Sequence, residues 1–542
     1  MAAPGVILKE LARTIHCRDG ETVLQAAQRN GINLTTACGG VGTCKTCLVR
    51  ITNGAASDDA GNHGLTEAQL ASGWRKACRF LPAGDCTLHM TPRILAEGAQ
   101  KRVLVPDFPP LPVDRDITGA AHTRVPDVAR PLGIAVDLGT TSLAIFLADL
   151  ETGETLGLIE APNAQNRYGA DVVSRLAHAI RGDTEREELR KTIVNCLNRN
   201  IRELCRFTGC RKEWVVEIVI AGNTAMHHLF AGYPIRDLAL APFTPHVSKA
   251  LVLDARDLGL DLHADARAYL PAIIAGYVGS DHAAALLGAG LGGDTKTAPV
   301  LLVDIGTNTE ISLLHGGTLA SLSCPSGPAL EGGEIDCGMR AVDGAIDSLR
   351  ITGDSVDFST IGGAAPAGIC GSAVIDIVAA LYHSGNADKR GRLIEGHPLI
   401  RTVNNRRELV LHKPDDMDDE DITFSQADIR AVQLAKGAIR AGIDMLLSRH
   451  GLTESDIAEI LVAGAFGRHI RLENAVRIGL LPDIDLSRIS QIGNAAGDGG
   501  RMMLTSAKAR AVSERMVGTA DYIELSGSKD FNRHFISRIN FD

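Results

Sequence analysis

Two stretches of this chain are built alike: Ile134-Ala135-Val136-Asp137-Leu138-Gly139-Thr140-Thr141-Ser142-Leu143 and Leu301-Leu302-Val303-Asp304-Ile305-Gly306-Thr307-Asn308-Thr309-Glu310-Ile311. Each reads as an apolar strand, an Asp-x-Gly-Thr turn and a second strand. A carboxylate at the end of a strand can hold Mg²⁺ directly or through water, the glycine lets backbone approach, and the hydroxyl and N–H groups that follow donate to phosphate oxygens. One such stretch is an ordinary hairpin turn. Two of them, about 165 residues apart, indicate a duplicated architecture whose halves close on one nucleotide. At 542 residues the chain exceeds a single core, and its length suggests about three or four domains.

The N-terminal region carries different chemistry. Ala37-Cys38-Gly39-Gly40-Val41-Gly42-Thr43-Cys44-Lys45-Thr46-Cys47 is a C-x5-C-x2-C loop, one residue longer than the plant-type iron-sulfur pattern C-x4-C-x2-C. Such a loop must turn N–H groups toward cluster sulfurs, and Gly39, Gly40 and Gly42 can take the left-handed conformations this requires. Zinc competes as a reading, but it favours paired C-x2-C knuckles, and only Cys44 and Cys47 form one, with no His in the loop. The four-iron run C-x2-C-x2-C-x3-C is absent. Disulfides suit neither the length of the chain nor the scatter of its other cysteines. Residues 21–30 read as a helix before the loop. The segment resembles a 2Fe-2S ferredoxin of the β-grasp type, and Cys78 stands where that family keeps its fourth ligand. Cys86 is the alternative, although Cys86-Thr87-Leu88-His89-Met90 alternates like a closing strand, where a buried thiol is ordinary.

Hydrophobic residues make up 45% of the chain and aromatics only 4%, a balance that favours α/β layers over an aromatic-packed sandwich. A net charge of −10 and the lack of a Lys/Arg stripe argue against nucleic acid as a partner. Neither a signal peptide nor an apolar run of about eighteen residues is evident, so no membrane is expected and the cytoplasm is. Twelve cysteines in a reducing compartment fit a cluster plus core thiols.

These signals divide the chain into a ferredoxin-like domain at 1–90, a Pro-rich linker at 91–131, a first lobe at 132–297 and a second at 298–542. Pro106, Pro109, Pro110, Pro112, Pro126 and Pro131 break helices and central strands, so the linker is expected to be extended and stiff, letting a tethered ferredoxin swing. Leu434, Ile439, Ile443 and Leu446 give the helix expected at 426–449 an apolar side for the core or, alternatively, for a homodimer. Gly288-Ala289-Gly290-Leu291-Gly292-Gly293 matches G-x-G-x-x-G but follows a helix and precedes a strand, the reverse of the dinucleotide context.

From about 132 to 506 the chain resembles the actin, sugar kinase and heat-shock ATPase superfamily. Ser280 to Gly290 is similar to its first connecting helix, Glu459-Ile460-Leu461-Val462-Ala463-Gly464-Ala465-Phe466 to its adenosine motif, and Glu473 to Leu480 to its second connecting helix. The resulting fold class is multidomain α/β: a β-grasp ferredoxin, a linker and a two-lobed ATPase. Asp137 and Asp304 are the candidate Mg²⁺ or water-positioning carboxylates. Glu310 is a candidate for orienting water, or else a solvated or paired strand residue. Gly139, Thr140, Thr141, Gly306, Thr307 and Asn308 are candidates for cradling phosphates, and Gly464 and Ala465 for the adenosine side.

The words between the motifs narrow the resemblance. Asn163-Ala164-Gln165-Asn166-Arg167-Tyr168-Gly169-Ala170-Asp171-Val172, Ala221-Gly222-Asn223-Thr224-Ala225-Met226-His227-His228, Ser326-Gly327-Pro328-Ala329-Leu330-Glu331-Gly332-Gly333, Gly368-Ile369-Cys370-Gly371-Ser372 and Gly493-Asn494-Ala495-Ala496-Gly497 resemble those of the reductive activators of corrinoid proteins. This implies ATP-dependent return of Co(II) to Co(I) in the corrinoid protein of a methyltransferase system. It also implies an upstream electron donor or reductase, ATP and Mg²⁺ as ligands, and a 2Fe-2S cluster on Cys38, Cys44, Cys47 and Cys78. His227 and His228 read as capping or packing residues more readily than as cobalt ligands. Cys324, Cys337 and Cys370 read as core or loop thiols. Two rival classes remain: an activator of another low-potential metalloenzyme, and a nucleotide-switched redox regulator. A sugar kinase leaves the ferredoxin unexplained.

Overall fold

The computed structural model describes residues 3–32, 34–36, 40, 42, 45–54, 64–95, 101–169, 171–292, 297–403, 405–414, 420–464 and 466–541. The N-terminal sheet has five strands in the order Arg13–His16, Gly5–Leu8, Cys86–Met90, Leu48–Asn53, Trp74–Lys76. Its first and last strands in sequence run parallel, with Val6 opposite Cys86, the β-grasp arrangement. The helix Val23–Arg29 begins at a capping box between Thr22 and Gln25 and buries Val23, Leu24, Ala26 and Ala27.

Two larger sheets repeat one plan. In the first lobe Leu132–Leu138 pairs antiparallel with Ser142–Asp149 and parallel with Val215–Gly222. In the second, Val300–Asp304 pairs antiparallel with Thr309–His315 and parallel with Glu459–Ala463. A third antiparallel strand follows in each, Thr155–Pro162 and Thr318–Cys324. The central strands are buried along almost their whole length, as strands covered on both faces must be.

The lobes meet where the helices Ser280–Gly288 and Ala495–Thr505 cross. A methyl group on Gly499 would lie 1.9 Å from the Ala284 carbonyl oxygen, and one on Gly288 would lie 2.2 Å from that of Ala495, so only glycine permits this approach. The second crossing helix is therefore Ala495–Thr505, which also packs on the first lobe's central strands, and not the segment 473–480 expected from sequence. The helix Leu472–Arg477 packs instead on Gly371–His383 within the second lobe.

The linker also departs from expectation. Arg102–Leu104 adds an edge strand to the first lobe's sheet, and Arg115–Arg124 is a helix whose Asp114 cap accepts from the Asp116 N–H. That helix fits in the proline-free interval between Pro112 and Pro126, and an edge strand tolerates prolines nearby. Phe108 packs with its ring centroid 6.3 Å from that of Phe146 in the first lobe and lies under the Arg501 guanidinium at 4.4 Å, so much of this stretch is committed to the two lobes rather than extended. The helix Gln426–Arg449 forms as expected, with Ile439, Ile443 and Leu446 fully buried, but Leu434 is 40% exposed and is not core. Among the described residues no helix is long and apolar enough to cross a membrane.

Candidate functional site

The two hairpin turns face one another at the lobe junction. Asp137 ends the strand Leu132–Leu138, and its Oδ2 accepts from Asn494 Nδ2 at 2.9 Å, across the lobes. Asp304 ends Val300–Asp304, directly opposite Glu310 on the neighbouring strand. Asp281, in the first turn of the helix Ser280–Gly288, completes the acidic group. All four side chains are half-buried at the floor of the junction. Burial pushes Asp137 up to about 6, against the pull of the Asn494 hydrogen bond. Burial and then the charge of Asp137 push Asp304 up to about 7. Asp281 and Glu310 rise as well, first through burial and then through their acidic neighbours. Four carboxylates in one junction resist full ionisation unless a cation joins them.

They do not form a ready-made cage: among the described residues no three His, Cys, Asp or Glu side chains converge as metal ligands. Glu310 also accepts from Ser323 Oγ at 3.2 Å, so it is a paired strand residue that borders the acidic group.

The turns are pinned by their surroundings. In the first lobe Asn163 Nδ2 donates to the Gly139 carbonyl at 2.9 Å, Asn166 Nδ2 to that of Thr141 at 3.0 Å, and Asn223 Nδ2 to Thr140 Oγ1 at 2.8 Å. In the second, Thr307 Oγ1 donates to Glu331 Oε2 at 3.2 Å, and Ser326 Oγ reaches the Gly306 carbonyl at 3.2 Å. Asn308 lies half-buried in the same turn. Gly464 follows the strand Glu459–Ala463 with φ +93, and a methyl group there would lie 2.5 Å from the Ile305 carbonyl oxygen and 2.9 Å from Asp304 Oδ1. Ala465 lies outside the described residues.

Asp281, Asn494, Asn163, Asn166, Asn223 and Glu331 escaped the sequence-based choice of site residues. Three of them, Asn163, Asn223 and Asn494, are N-caps where a strand leads into a helix, a placement that marks polar residues serving a turn. His228 is structural: its Nδ1 faces the Thr224 carbonyl at 2.8 Å and its Nε2 accepts from the Val247 N–H. His227 is 2% exposed, and burial, then His228, lowers its pKa to about 3, which leaves a neutral packed ring. Cys324, Cys337 and Cys370 are buried thiols whose pKa values burial raises.

In the N-terminal domain Cys47 and Cys78 are buried with their sulfurs 3.4 Å apart. Two thiolates about 2.3 Å from one metal ion sit at that scale of separation, so this pair fits a shared iron. Cys38 and Cys44 lie outside the described residues. Gly40 and Gly42 take φ +89 and +92, as a wrapped loop requires, and the buried Lys76 donates to the Gly42 carbonyl at 2.7 Å. Cys86 instead points into the domain core, where burial and then the neighbouring Cys17 push its pKa to about 11.

Three family models match the chain: a 2Fe-2S iron-sulfur cluster binding domain over residues 6–83, the RACo middle region over 132–294, and the C-terminal ASKHA domain of RACo over 298–542. The corrinoid activation enzyme RamQ of Eubacterium limosum is 34% identical over 419 residues, which cover 76% of this chain and 70% of that protein. The [Co(II) methylated amine-specific corrinoid protein] reductase of Methanosarcina barkeri is 26% identical, over 76% of this chain and 77% of that protein. A solved structure described as a reductive activator for corrinoid, iron-sulfur protein superposes with a TM-score of 0.70 at 29% identity, covering 99% of this chain and 98% of that one.

Proposed function

From the premise that the chain belongs to the RACo family, which joins a 2Fe-2S domain to an ASKHA domain, we propose that it reduces a corrinoid protein from Co(II) to Co(I) at the expense of ATP. The protein is an ATP-dependent redox activator of corrinoid proteins. The observation that carries this reading is the union, in one chain, of a ferredoxin fold bearing the Cys47–Cys78 pair with an acidic junction between two duplicated lobes.

Cys38, Cys44, Cys47 and Cys78 are the ligands we assign to the cluster, which when bound supplies single electrons at low potential. Gly40, Gly42 and Lys76 fix the loop that presents those thiolates. Asp137 and Asp304, with Asp281 beside them, would hold Mg²⁺, which would neutralise charge on the phosphates. The Gly139, Thr140 and Thr141 turn and the Gly306, Thr307 and Asn308 turn hold the phosphates. Gly464 and Ala465 are the residues assigned to the adenosine side. Glu310 borders the position of an attacking water.

Reaching Co(I) is strongly uphill from a typical ferredoxin, and ATP contributes only if it binds two states of the assembly unequally. The Asp137–Asn494 bond and the glycine crossing span the lobes. Closure of the turns on nucleotide therefore moves one lobe against the other. The client is the corrinoid protein of a methyltransferase system, and an upstream reductase refills the cluster. We place the protein in the cytoplasm, where its many thiols stay reduced.

The test is anaerobic: mix the reduced holoprotein with a fraction shown to contain corrinoid protein and follow the Co(I) absorption band with and without ATP. ATP-dependent appearance of Co(I) is the expected result. A cluster that is reduced while cobalt stays Co(II) with ATP present would sink the proposal in favour of a regulator or an activator of another metalloenzyme.

A further inference from the structure

The ferredoxin domain touches the second lobe through Lys45, Gln69 and Arg93. Lys45, between Cys44 and Cys47, pairs with Asp336 Oδ2 at 2.9 Å, the two side chains being 15% and 33% exposed. Arg93, buried at the end of the ferredoxin domain, donates to the Asp336 carbonyl at 2.7 Å. Gln69 Nε2 donates to Glu420 Oε1 at 2.8 Å. Asp336 is itself fixed: its N–H donates to Asp428 Oδ1 at 2.8 Å, and Asp428 closes the capping box of the helix Gln426–Arg449.

The loop that carries Asp336 also touches the nucleotide turn. Five residues earlier, Glu331 accepts the Thr307 hydroxyl at 3.2 Å. Around these two contacts the backbone is folded tightly on itself. A methyl group on Gly338 would lie 1.9 Å from the Gly332 carbonyl oxygen, and one on Gly333 would lie 2.6 Å from the Pro328 ring. Such a segment moves as a unit rather than absorbing a displacement.

We propose that Asp336 is a latch that holds the cluster loop closed against the second lobe, and that nucleotide at the Thr307 turn loosens it through Glu331. The nucleotide half of this inference rests on the reading of the site given above. Among the described residues the named contacts are polar, and the Lys45–Asp336 ion pair is partly exposed and hence individually weak, so a ligand can shift the balance of docked and released states. The docked state sets Asp336 against Lys45, two residues before Cys47, which would keep that side of the domain from adventitious acceptors. The released state presents the same loop to the client. Asp336 is thus a positioning residue, acting through Lys45.

The experiment uses the full-length holoprotein, reduced and freed of excess reductant, mixed anaerobically with ferricytochrome c in a stopped-flow instrument. Each reduced cluster gives one electron to one haem iron, returning to its oxidised form as ferrocytochrome c appears. Wild type is expected to react slowly and to speed up on addition of Mg·ATP. Asp336→Asn, which keeps the main-chain contacts, is expected to react roughly three- to fivefold faster without nucleotide, the scale of one partly exposed ion pair. It should respond little to ATP. Losing an acidic group disfavours encounter with a basic cytochrome, so faster reaction does not come from that source. The exchange Lys45→Asp with Asp336→Lys should restore the slow rate, and an unchanged cluster spectrum verifies the fold. A nucleotide-free Asp336→Asn rate equal to wild type overturns the latch. Calorimetry of ATP binding separates the two readings. ATP that binds without changing the wild-type rate overturns the coupling alone, whereas ATP that fails to bind overturns the nucleotide reading and the coupling with it, leaving the latch to be judged by the nucleotide-free rates.

Discussion

The two hairpins share their sequence words and differ in what holds them. The first lobe's turn is pinned by neutral amides: Asn163, Asn166 and Asn223 on the turn, and Asn494 on Asp137. The second lobe's turn is pinned by a hydroxyl, Ser326, and a carboxylate, Glu331. This changes what each threonine can do. Thr140 receives its hydrogen bond from Asn223, so its own proton is left to donate to a phosphate. Thr307 spends its proton on Glu331 and retains only acceptor capacity. On the proposed function, the first turn would be suited to gripping phosphate and the second to reporting on it.

The strongest challenge to this comparison is removal of each acidic charge. If both aspartates serve one cation, Asp137→Asn and Asp304→Asn should each lower ATP turnover by about 10²–10³-fold, the scale of losing one preorganised charged group. Phosphate release measured with the corrinoid client present is the check, and near-normal turnover in either variant would show that the lobes do not share the site.

Next in size is a backbone contrast. Gly222 and Gly464 stand in equivalent places, each beside the strand that carries an aspartate. A methyl group would lie 2.9 Å from the Leu138 carbonyl oxygen at Gly222 and 2.5 Å from that of Ile305 at Gly464, and only Gly464 has a positive φ, +93. Gly464→Ala should therefore destabilise by about 2–3 kcal/mol and Gly222→Ala by about 1–2 kcal/mol. Urea denaturation of the two variants ranks them, and the reverse order would refute the argument from geometry.

The threonine contrast predicts a smaller effect. Thr140→Val should weaken nucleotide binding about tenfold, one lost hydrogen bond to a charged group. Thr307→Val should weaken it less, because that proton is already used. Titration with a fluorescent nucleotide analogue measures both, and equal losses would remove the distinction between a gripping and a reporting turn.

The parts legible in the sequence are those written in local pattern. The paired Asp-x-Gly-Thr turns, the alternating strand from Cys86 to Met90 and the apolar repeat of the helix Gln426–Arg449 all depend on neighbours a few residues away. The parts that escaped depend on distant partners. The helix Ala495–Thr505 is a lobe crossing because Gly499 fits against Ala284 and Asn494 reaches Asp137, 357 residues earlier in the chain. Glycines and an asparagine do not advertise such a role. The linker escapes the local pattern because its prolines are conspicuous, whereas the ten-residue helix Arg115–Arg124 between them offers only a narrow apolar stripe, Ile117 and Ala121 followed by Val125. Leu434 fits the apolar pattern of its helix but lies toward solvent, since helical period alone does not say how wide the buried face is.

The smallest effect sharpens the difference between the two aspartates. Burial raises both, but Asn494 donates only to Asp137, which stands at about 6 while Asp304 stands at about 7, against an ordinary value of 3.8. Between about pH 4 and pH 7 the folded protein therefore holds protons that the unfolded chain releases. The contribution of these groups to stability is fully present below the unfolded value and is lost as pH rises through the folded ones. Without divalent cation, the midpoint of thermal unfolding should fall by a few degrees from pH 5 to pH 8 through this cause. Mg²⁺ competes with those protons for the same oxygens, so it should raise the midpoint at pH 8 and do little at pH 5. Differential scanning calorimetry with chelator or Mg²⁺ at the two pH values isolates the increment, and Asp304→Asn should shrink it more than Asn494→Ala does. Equal Mg²⁺ increments at both pH values would mean that the cation is held elsewhere, and that the acidic junction stays protonated for the sake of folding rather than for the nucleotide.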